Sequence, residues 1–221
     1  MRSQVWLCWK ELAESGTEEP VVPAVYVIDD FLPDPEALRA RALGLTYSGR
    51  GNYPGRDSLE RLPIDGLDDA VSAIMRQRFR AQTGEEFSHA KCRLTLASDD
   101  EVAGVHVDPS HLSGILYLSR PEDCRGGTEF FRHIRTGTDR VPMRPEELSA
   151  LGYSTYGEMH QDIVRKEGRD RTKWEQTMSV AMRFNRLVLL QPHYWHTAGP
   201  GFGDSIENGR LVYLMFFKVA G

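Results

Sequence analysis

Residues 91–133, KCRLTLASDDEVAGVHVDPSHLSGILYLSRPEDCRGGTEFFRH, decide the fold. They contain four short segments rich in β-branched and aromatic residues, separated by polar or glycine-containing turns: KCRLTLA, VAGVHVD, HLSGILYLS and GGTEFFRH. Closely spaced short strands of this kind are typical of a β-sandwich. We therefore predict a mainly β fold of the α+β class.

The preceding sequence predicts two supporting helices. PAVYVIDDF predicts a strand, and EALRARAL after it predicts a helix with Asp34 as N-cap and Pro35 at its first position. Residues 47–63 are rich in Gly, Pro, Arg and Ser and predict a loop near the functional site. A second helix follows, because residues 67, 71, 74, 75 and 79 are apolar and share one helical face, with Gly84 as its stop signal.

The sequence after residue 133 departs from the rhythm of short strands. Residues 134–178 form a long polar insertion with two helical pieces, PEELSAL and YGEMHQDIVRKEG, of the kind that forms lids or binding elements. Two more strands, residues 183–190 and 211–218, close the chain. We expect one domain over residues 1–221, with the insertion at about residues 134–178.

Composition limits the class of protein. The 221 residues are 40% hydrophobic and 27% charged, which allows a buried core. The formal net charge of −5 provides no basic stripe, so we expect no nucleic-acid partner. Charged residues from Lys10 onward interrupt the N-terminus before it forms a signal core, so we expect neither export nor a membrane span. Cys8, Cys92 and Cys124 have no C-x-x-C spacing, which favours a reducing cytoplasm.

The strongest candidate for chemistry is His106-Val107-Asp108, at the end of one strand segment, together with His196, just beyond another. A strand places residues i and i+2 on the same face, so His106 and Asp108 are expected to point together. Two imidazoles and one carboxylate form the facial triad of non-haem iron(II) sites, which leaves coordination positions open. About one His-x-Asp/Glu tripeptide is expected by chance in this composition, so its strand setting carries the argument.

Two other histidines compete with this assignment. His160-Gln161-Asp162 repeats the tripeptide, but it lies in a helix-like segment, where residues i and i+2 point apart. His193 precedes His196 in QPHYWHTAG, and a packing role for both is the alternative. We prefer His196 because it follows the apolar strand RLVLL by a short turn, and we place His193 beside the site.

Arg210 lies fourteen residues after His196, on the next predicted strand. A dicarboxylic co-substrate that chelates iron through its keto-acid end needs a cation at its far end, and Arg offers a bidentate fork for that carboxylate. The alternative is a strand-edge Arg that faces solvent. Its position on the strand after His196 favours the first interpretation.

These motifs, in this order, resemble the iron(II)/2-oxoglutarate dioxygenase superfamily, including its prolyl-hydroxylase-like and DUF6445-type branches. The resemblance covers most of the chain, through VIDDFLPDPEAL, His106-x-Asp108, GGTEFF, RFNRLVLLQPHYWHTAGPGFG and GRLVYLMFF. It implies a double-stranded β-helix, a cupin-like jelly roll, with N-terminal supporting helices and a helical insertion. It also implies that His106, Asp108 and His196 are iron ligands and that Arg210 grips 2-oxoglutarate.

The sequence departs from the family pattern in two motifs. Many members carry Ser or Thr two residues after the Arg, but Val212 stands there, so we expect Tyr117 or Arg93 to supply the second contact to the carboxylate. GGTE exchanges the last two residues of the Gly-Gly-Glu-Thr turn of many relatives, and we assign Glu129 no catalytic role. Halogenating relatives have Gly or Ala at the acidic ligand, so the retained Asp108 favours hydroxylation.

The resemblance implies Fe(II), 2-oxoglutarate as co-substrate and O₂. We expect hydroxylation of an unactivated C–H bond in a small molecule, such as an amino acid or a natural-product intermediate. The alternatives are desaturation or cyclisation on the same fold, and a non-catalytic jelly-roll module that binds metal. The sequence leaves the oligomeric state open, with a homodimer among the options.

Overall fold

The computed structural model describes residues 24–49, 53–99 and 103–220, and the predictions for the N-terminus, including Cys8, lie outside them. The strands are β1 Val25–Ile28, β2 Tyr47–Gly49, β3 Arg56–Ser58, β4 Phe79–Ala81, β5 Cys92–Thr95, β6 Leu112–Tyr117, β7 Gly127–His133, β8 Trp174–Ala181, β9 Leu187–Leu190, β10 His196–Ala198 and β11 Arg210–Val219. They form two antiparallel sheets. The larger has the order β1-β9-β6-β11-β5-β3-β2, with β4 also paired to β11, and the smaller has the order β10-β7-β8.

Helix α1, Pro35–Leu43, begins where the sequence predicts. The Asp34 carboxylate accepts a hydrogen bond from the Ala37 N–H at 3.0 Å, and Pro35 takes the first helical position. This cap satisfies one of the N–H groups that a helix leaves unpaired at its start. The predicted N-terminal strand and supporting helix are therefore confirmed.

Helix α2, Leu67–Met75, is shorter than the sequence predicts. It ends at Arg76, whose backbone is left-handed at φ 53°, and Phe79 then opens β4 instead of continuing the helix. Phe79 is buried, 4% exposed, and lies opposite Val219 of β11. A buried apolar residue at helical spacing satisfies a helix and a strand equally, which is why periodicity alone misplaced this boundary.

The core lies on both faces of the larger sheet, as β9 illustrates. Leu187 and Leu189 pack into a cluster with residues of α1 and α2, whereas Val188 and Leu190 pack into a second cluster with residues of the smaller sheet. Because side chains alternate along a strand, an uninterrupted apolar run is what a strand buried on both faces requires. The larger sheet is thus the central layer, between the helices and the smaller sheet.

Two further sequence predictions need correction. Residues 47–63 are not only a loop, because β2 and β3 pair within them and attach to β5, although Tyr53 and Pro54 do line the cavity near the site. The predicted strand 183–190 begins later, at Leu187, and a turn precedes it.

The insertion carries the two predicted helical pieces. They are α3, Pro145–Ala150, and α4, Tyr156–Met159, which continues into a π-helical turn, His160–Arg165. Strand β8 begins at residue 174, inside the range predicted as insertion. The sequence prediction missed its first part because residues 175–179 are all exposed and show no apolar alternation. None of the helices in the described ranges has the length and apolarity that a membrane span requires.

Candidate metal centre

A backbone bridge between two segments places His106 and His196 side by side. The His106 N–H donates to the His196 carbonyl at 2.9 Å, and the His196 N–H donates to the His106 carbonyl at 3.1 Å. Since His196 opens β10 at the edge of the smaller sheet, the bridge adds His106 to that edge. The two imidazole rings lie 4.6 Å apart between centroids.

Asp108 reaches the same place through the period-two spacing. Val105 is fully buried in a cluster with Trp195, whereas His106 and Asp108 both line the cavity between the sheets. The Asp108 N–H donates to the Pro192 carbonyl at 3.1 Å, which holds the segment beside the turn before β10. Among residues 103–108, only His106 forms a β-bridge. The strand that the sequence predicts there is therefore a single bridge residue in the structure.

Hydrogen bonds orient all three side chains toward one point. The Nδ1 atoms of His106 and His196 each lie 2.8 Å from a backbone carbonyl, of Gly104 and Tyr194 respectively, which leaves both Nε2 atoms facing Asp108. His106 Nε2 is 3.6 Å from Asp108 Oδ1, and His196 Nε2 is 3.3 Å from Oδ2. An imidazole that donates Nδ1–H to a carbonyl presents its other nitrogen as a metal ligand.

The protonation states of the three side chains favour the binding of a cation. Burial, followed by the neighbouring His196, lowers the pKa of His106 to about 4. Burial by itself raises the pKa of Asp108, but the two imidazoles and a hydroxyl hold it below its ordinary value. Burial opposes the charged form of His196 too, yet Asp108 raises its pKa. At neutral pH the site therefore combines a carboxylate with a neutral His106, and a metal ion would displace any proton from His196.

The competing histidines do not join this cluster. Asp162 instead accepts hydrogen bonds from Tyr153, Arg135 and Lys166 at the protein surface. His193 stacks beside the adjacent Tyr194 ring, with centroids 4.9 Å apart. Within the described ranges, His106, Asp108 and His196 form the one group of three potential ligands whose donor atoms lie within 4.8 Å of one another.

Arg210 lies in the same cavity and is almost completely buried, at 2% exposure. Its Nη2 donates a long hydrogen bond to the Gly127 carbonyl at 3.4 Å, and its Nε has no partner among the described residues. No described carboxylate lies within ion-pair distance of it; burial lowers its pKa, although Tyr117 and Glu129 act in the opposite direction. A buried guanidinium without a close ion pair is costly, so this geometry favours an anionic ligand.

The two expected helpers of Arg210 have different surroundings. Tyr117 lies opposite Val212 and is fully buried, and its hydroxyl is 2.7 Å from that of Thr128. Thr128 lines the cavity, so it can extend this polar pair toward a ligand. Arg93 also lines the cavity, but its guanidinium already donates two hydrogen bonds to Asp57, at 2.5 and 3.0 Å.

Sequence reasoning missed several cavity residues. Ser113 Oγ donates to Asp108 Oδ2 at 2.6 Å, and the Tyr53 ring packs against His106 with centroids 4.6 Å apart and an interplanar angle of 52°. Neither residue type carries a motif: Ser113 reaches the site on strand β6, and Tyr53 from the connection between β2 and β3. The signal for Ser113 was its place in HLSGILYLS, because a polar residue in an otherwise apolar strand needs a buried partner.

Replacing Ser113 by Ala tests whether this hydroxyl orients Asp108. We expect iron(II) affinity to fall about 10- to 100-fold, because partners that hold a ligand are commonly worth that much. The measurement is competition with a colorimetric chelator. Ser110→Ala is the control, since Ser110 contacts Ser113 at 2.9 Å and leaves the bond to Asp108 in place. Equal affinity in Ser113→Ala and wild type would contradict the assignment.

The two facing antiparallel sheets, with the His-x-Asp…His cluster between them, form a double-stranded β-helix. The chain belongs to the family of unknown function DUF6445, whose model matches residues 16–217. By sequence, no curated protein matches the chain.

Solved structures support the fold. The crystal structure of HygX from Streptomyces hygroscopicus with nickel and 2-oxoglutarate bound matches with a TM-score of 0.52 and 15% identity, over 88% of this chain and 82% of HygX. HygX with nickel, 2-oxoglutarate and hygromycin B bound matches with a TM-score of 0.50 and 14% identity, over the same 88% and 82%. At this identity, the matches establish the shared fold.

Proposed function

We propose that this protein is an iron(II)- and 2-oxoglutarate-dependent oxygenase, in which His106, Asp108 and His196 hold the iron. The donor set carries the proposal, because two imidazole nitrogens and one carboxylate converge within 4.8 Å. Zinc in structural sites prefers four nitrogen or sulfur ligands, whereas two His and one carboxylate with open positions suit non-haem iron. The free thiols of Cys92 and Cys124 are not part of the group.

Arg210 supports 2-oxoglutarate as the co-substrate. A dicarboxylate that reaches from the metal into the cavity would supply the anion that the buried guanidinium lacks. Thr128, backed by Tyr117, is our choice for the second contact to the same carboxylate, in the role that the sequence assigned to Tyr117 or Arg93. In HygX, nickel and 2-oxoglutarate occupy one structure of the same fold.

The residues of this chain would bind and orient the co-substrate and the substrate, and would exclude water from them. The cavity between the two sheets, which is partly open to solvent, has a volume of about 800 Å³, within the range of small-molecule sites. Iron with 2-oxoglutarate and dioxygen supplies the oxidising power that an unactivated C–H bond requires. Asp108 and the two imidazoles would hold the metal, and Arg210 would bind the far carboxylate of the co-substrate.

Hydroxylation of a small molecule is the reaction we favour. Asp108 fills the acidic position that a halogenating site leaves open for chloride, and the cavity suits an amino acid or a natural-product intermediate. In HygX, hygromycin B is bound together with nickel and 2-oxoglutarate in the same fold, which supports a small-molecule substrate. Desaturation and cyclisation use the same residues and are distinguished by product analysis.

The proposal is tested by succinate release from anaerobically reconstituted protein after oxygen is admitted. We expect succinate only when iron(II) and 2-oxoglutarate are both present, and none when zinc replaces iron. A module that binds metal without turnover would take up iron and yield no succinate above the control without protein. That result would refute the oxygenase and favour the non-catalytic alternative.

A further inference from the structure

In addition to the candidate metal ligands and Arg210, two side chains of opposite charge line the cavity. Glu129 of β7 and Arg171, in the turn before β8, lie 3.6 Å apart between Oε2 and Nη2, with side-chain exposures of 19% and 37%. That separation exceeds a good hydrogen bond, and neither side chain forms a hydrogen bond with another described residue, although Glu129 also attracts the Arg210 guanidinium. The pair is therefore close enough to interact and still open to a ligand.

Local structure holds Arg171 in place. It begins a 3-10 turn, Arg171–Lys173, whose first residues are fixed by hydrogen bonds from the Thr172 N–H and hydroxyl to Asp170, at 3.0 and 2.6 Å. The Arg171 guanidinium lies over the Phe131 ring, 4.8 Å from its centroid. A guanidinium over an aromatic face gains a cation–π attraction, which helps to hold Arg171 at the cavity wall.

The other charged residues of the cavity wall either have protein partners or are exposed to solvent. Arg93 is bound to Asp57, Asp99 accepts a hydrogen bond from the Leu96 N–H at 2.8 Å, and Glu86 is exposed. Once the metal ligands and Arg210 are set aside, Glu129 and Arg171 are the adjacent charges that a substrate meets in the described cavity wall.

We propose that Glu129 and Arg171 recognise the substrate, and that the substrate is a free amino acid. Its ammonium group binds the Glu129 carboxylate and its carboxylate binds the Arg171 fork, which leaves its side chain to approach the metal. In an α-amino acid, the ammonium and carboxylate groups are both attached to the α-carbon. The two charges are therefore close together, and one adjacent pair of protein charges can bind both. This inference rests on the proposed function and names its substrate class.

The test is calorimetry on the full chain loaded with nickel and 2-oxoglutarate, which bind without turnover. The probes are the proteinogenic L-amino acids, with their N-acetyl forms, which lack the cation, and their amides, which lack the anion. We expect at least one amino acid to bind and both modified forms to bind at least about tenfold more weakly, because each loses one charge-assisted hydrogen bond.

Variants assign each charge to its partner. Glu129→Gln should weaken amino-acid binding about tenfold and abolish the discrimination against the N-acetyl form, and Arg171→Gln should do the same for the amide. Glu175→Gln and Lys173→Gln, which change neighbouring residues outside the cavity wall, should leave binding unchanged.

Two outcomes overturn the inference. One is nickel and 2-oxoglutarate binding with no response to any amino acid. The other is amino-acid binding that neither variant weakens. Failure of nickel and 2-oxoglutarate to bind at all, seen in the first titration, refutes the proposed function itself and the inference with it.

Discussion

Asp108→Asn is expected to reduce iron(II) affinity by more than about a hundredfold and to abolish succinate release, since a lost ligand exceeds the effect of a lost supporting contact. Asn keeps the shape of the side chain and can still accept the hydrogen bond from Ser113. It removes the negative charge that lies 3.3 to 3.6 Å from the two imidazole Nε2 atoms. The loss would therefore report the charge and not the packing.

The matched control for Asp108→Asn is Asp162→Asn, in the second His-x-Asp tripeptide. Asp162 belongs to a surface network with Arg135 and Lys166, so its replacement should leave iron affinity and succinate release unchanged. Equal losses in both variants would mean that the tripeptides act only through stability. Unchanged iron affinity in Asp108→Asn would remove Asp108 from the metal site.

Arg210→Met is expected to have two effects of opposite sign. It should abolish the binding of 2-oxoglutarate, measured as the rise in melting temperature that the co-substrate gives the nickel-loaded wild type. It should also stabilise the ligand-free protein, by about 1 kcal/mol or more, because it removes a buried charge that has no close ion pair among the described residues and, of the described carboxylates, is attracted only by Glu129.

Arg93→Met provides the contrast for Arg210→Met. Asp57 is largely buried, with 14% side-chain exposure, and Arg93 donates two hydrogen bonds to it. Removing Arg93 leaves that carboxylate with the Ser88 hydroxyl but without its ion pair, so the melting temperature should fall, while the shift caused by 2-oxoglutarate remains. A lower melting temperature in Arg210→Met, or loss of the 2-oxoglutarate shift in Arg93→Met, would contradict these assignments.

Much of the fold follows from local rules that act on neighbouring residues. The Asp34 cap and the apolar run of β9 each depend on a few adjacent positions, so the sequence predicts them. The shared direction of His106 and Asp108 follows equally from strand geometry. Predicting these features does not require the contacts between distant segments of the chain.

The remaining features depend on contacts between distant segments. Strand β8 is paired along one edge but exposed at residues 175–179, so its sequence has no strand periodicity. Arg171 lines the cavity from a 3-10 turn, next to the Phe131 ring of strand β7. Thr128 becomes a candidate contact for 2-oxoglutarate because Gly127 lies beside Arg210, across the two sheets. Tertiary pairing, which no local pattern encodes, selects these residues.

The most direct test of the central claim is anomalous diffraction at the iron edge, from crystals grown anaerobically with iron(II) and 2-oxoglutarate. We expect one anomalous peak within coordination distance of His106 Nε2, His196 Nε2 and the Asp108 carboxylate, and density for a dicarboxylate that ends at Arg210. An iron peak elsewhere, or a peak at the triad with no dicarboxylate reaching Arg210, would contradict the account.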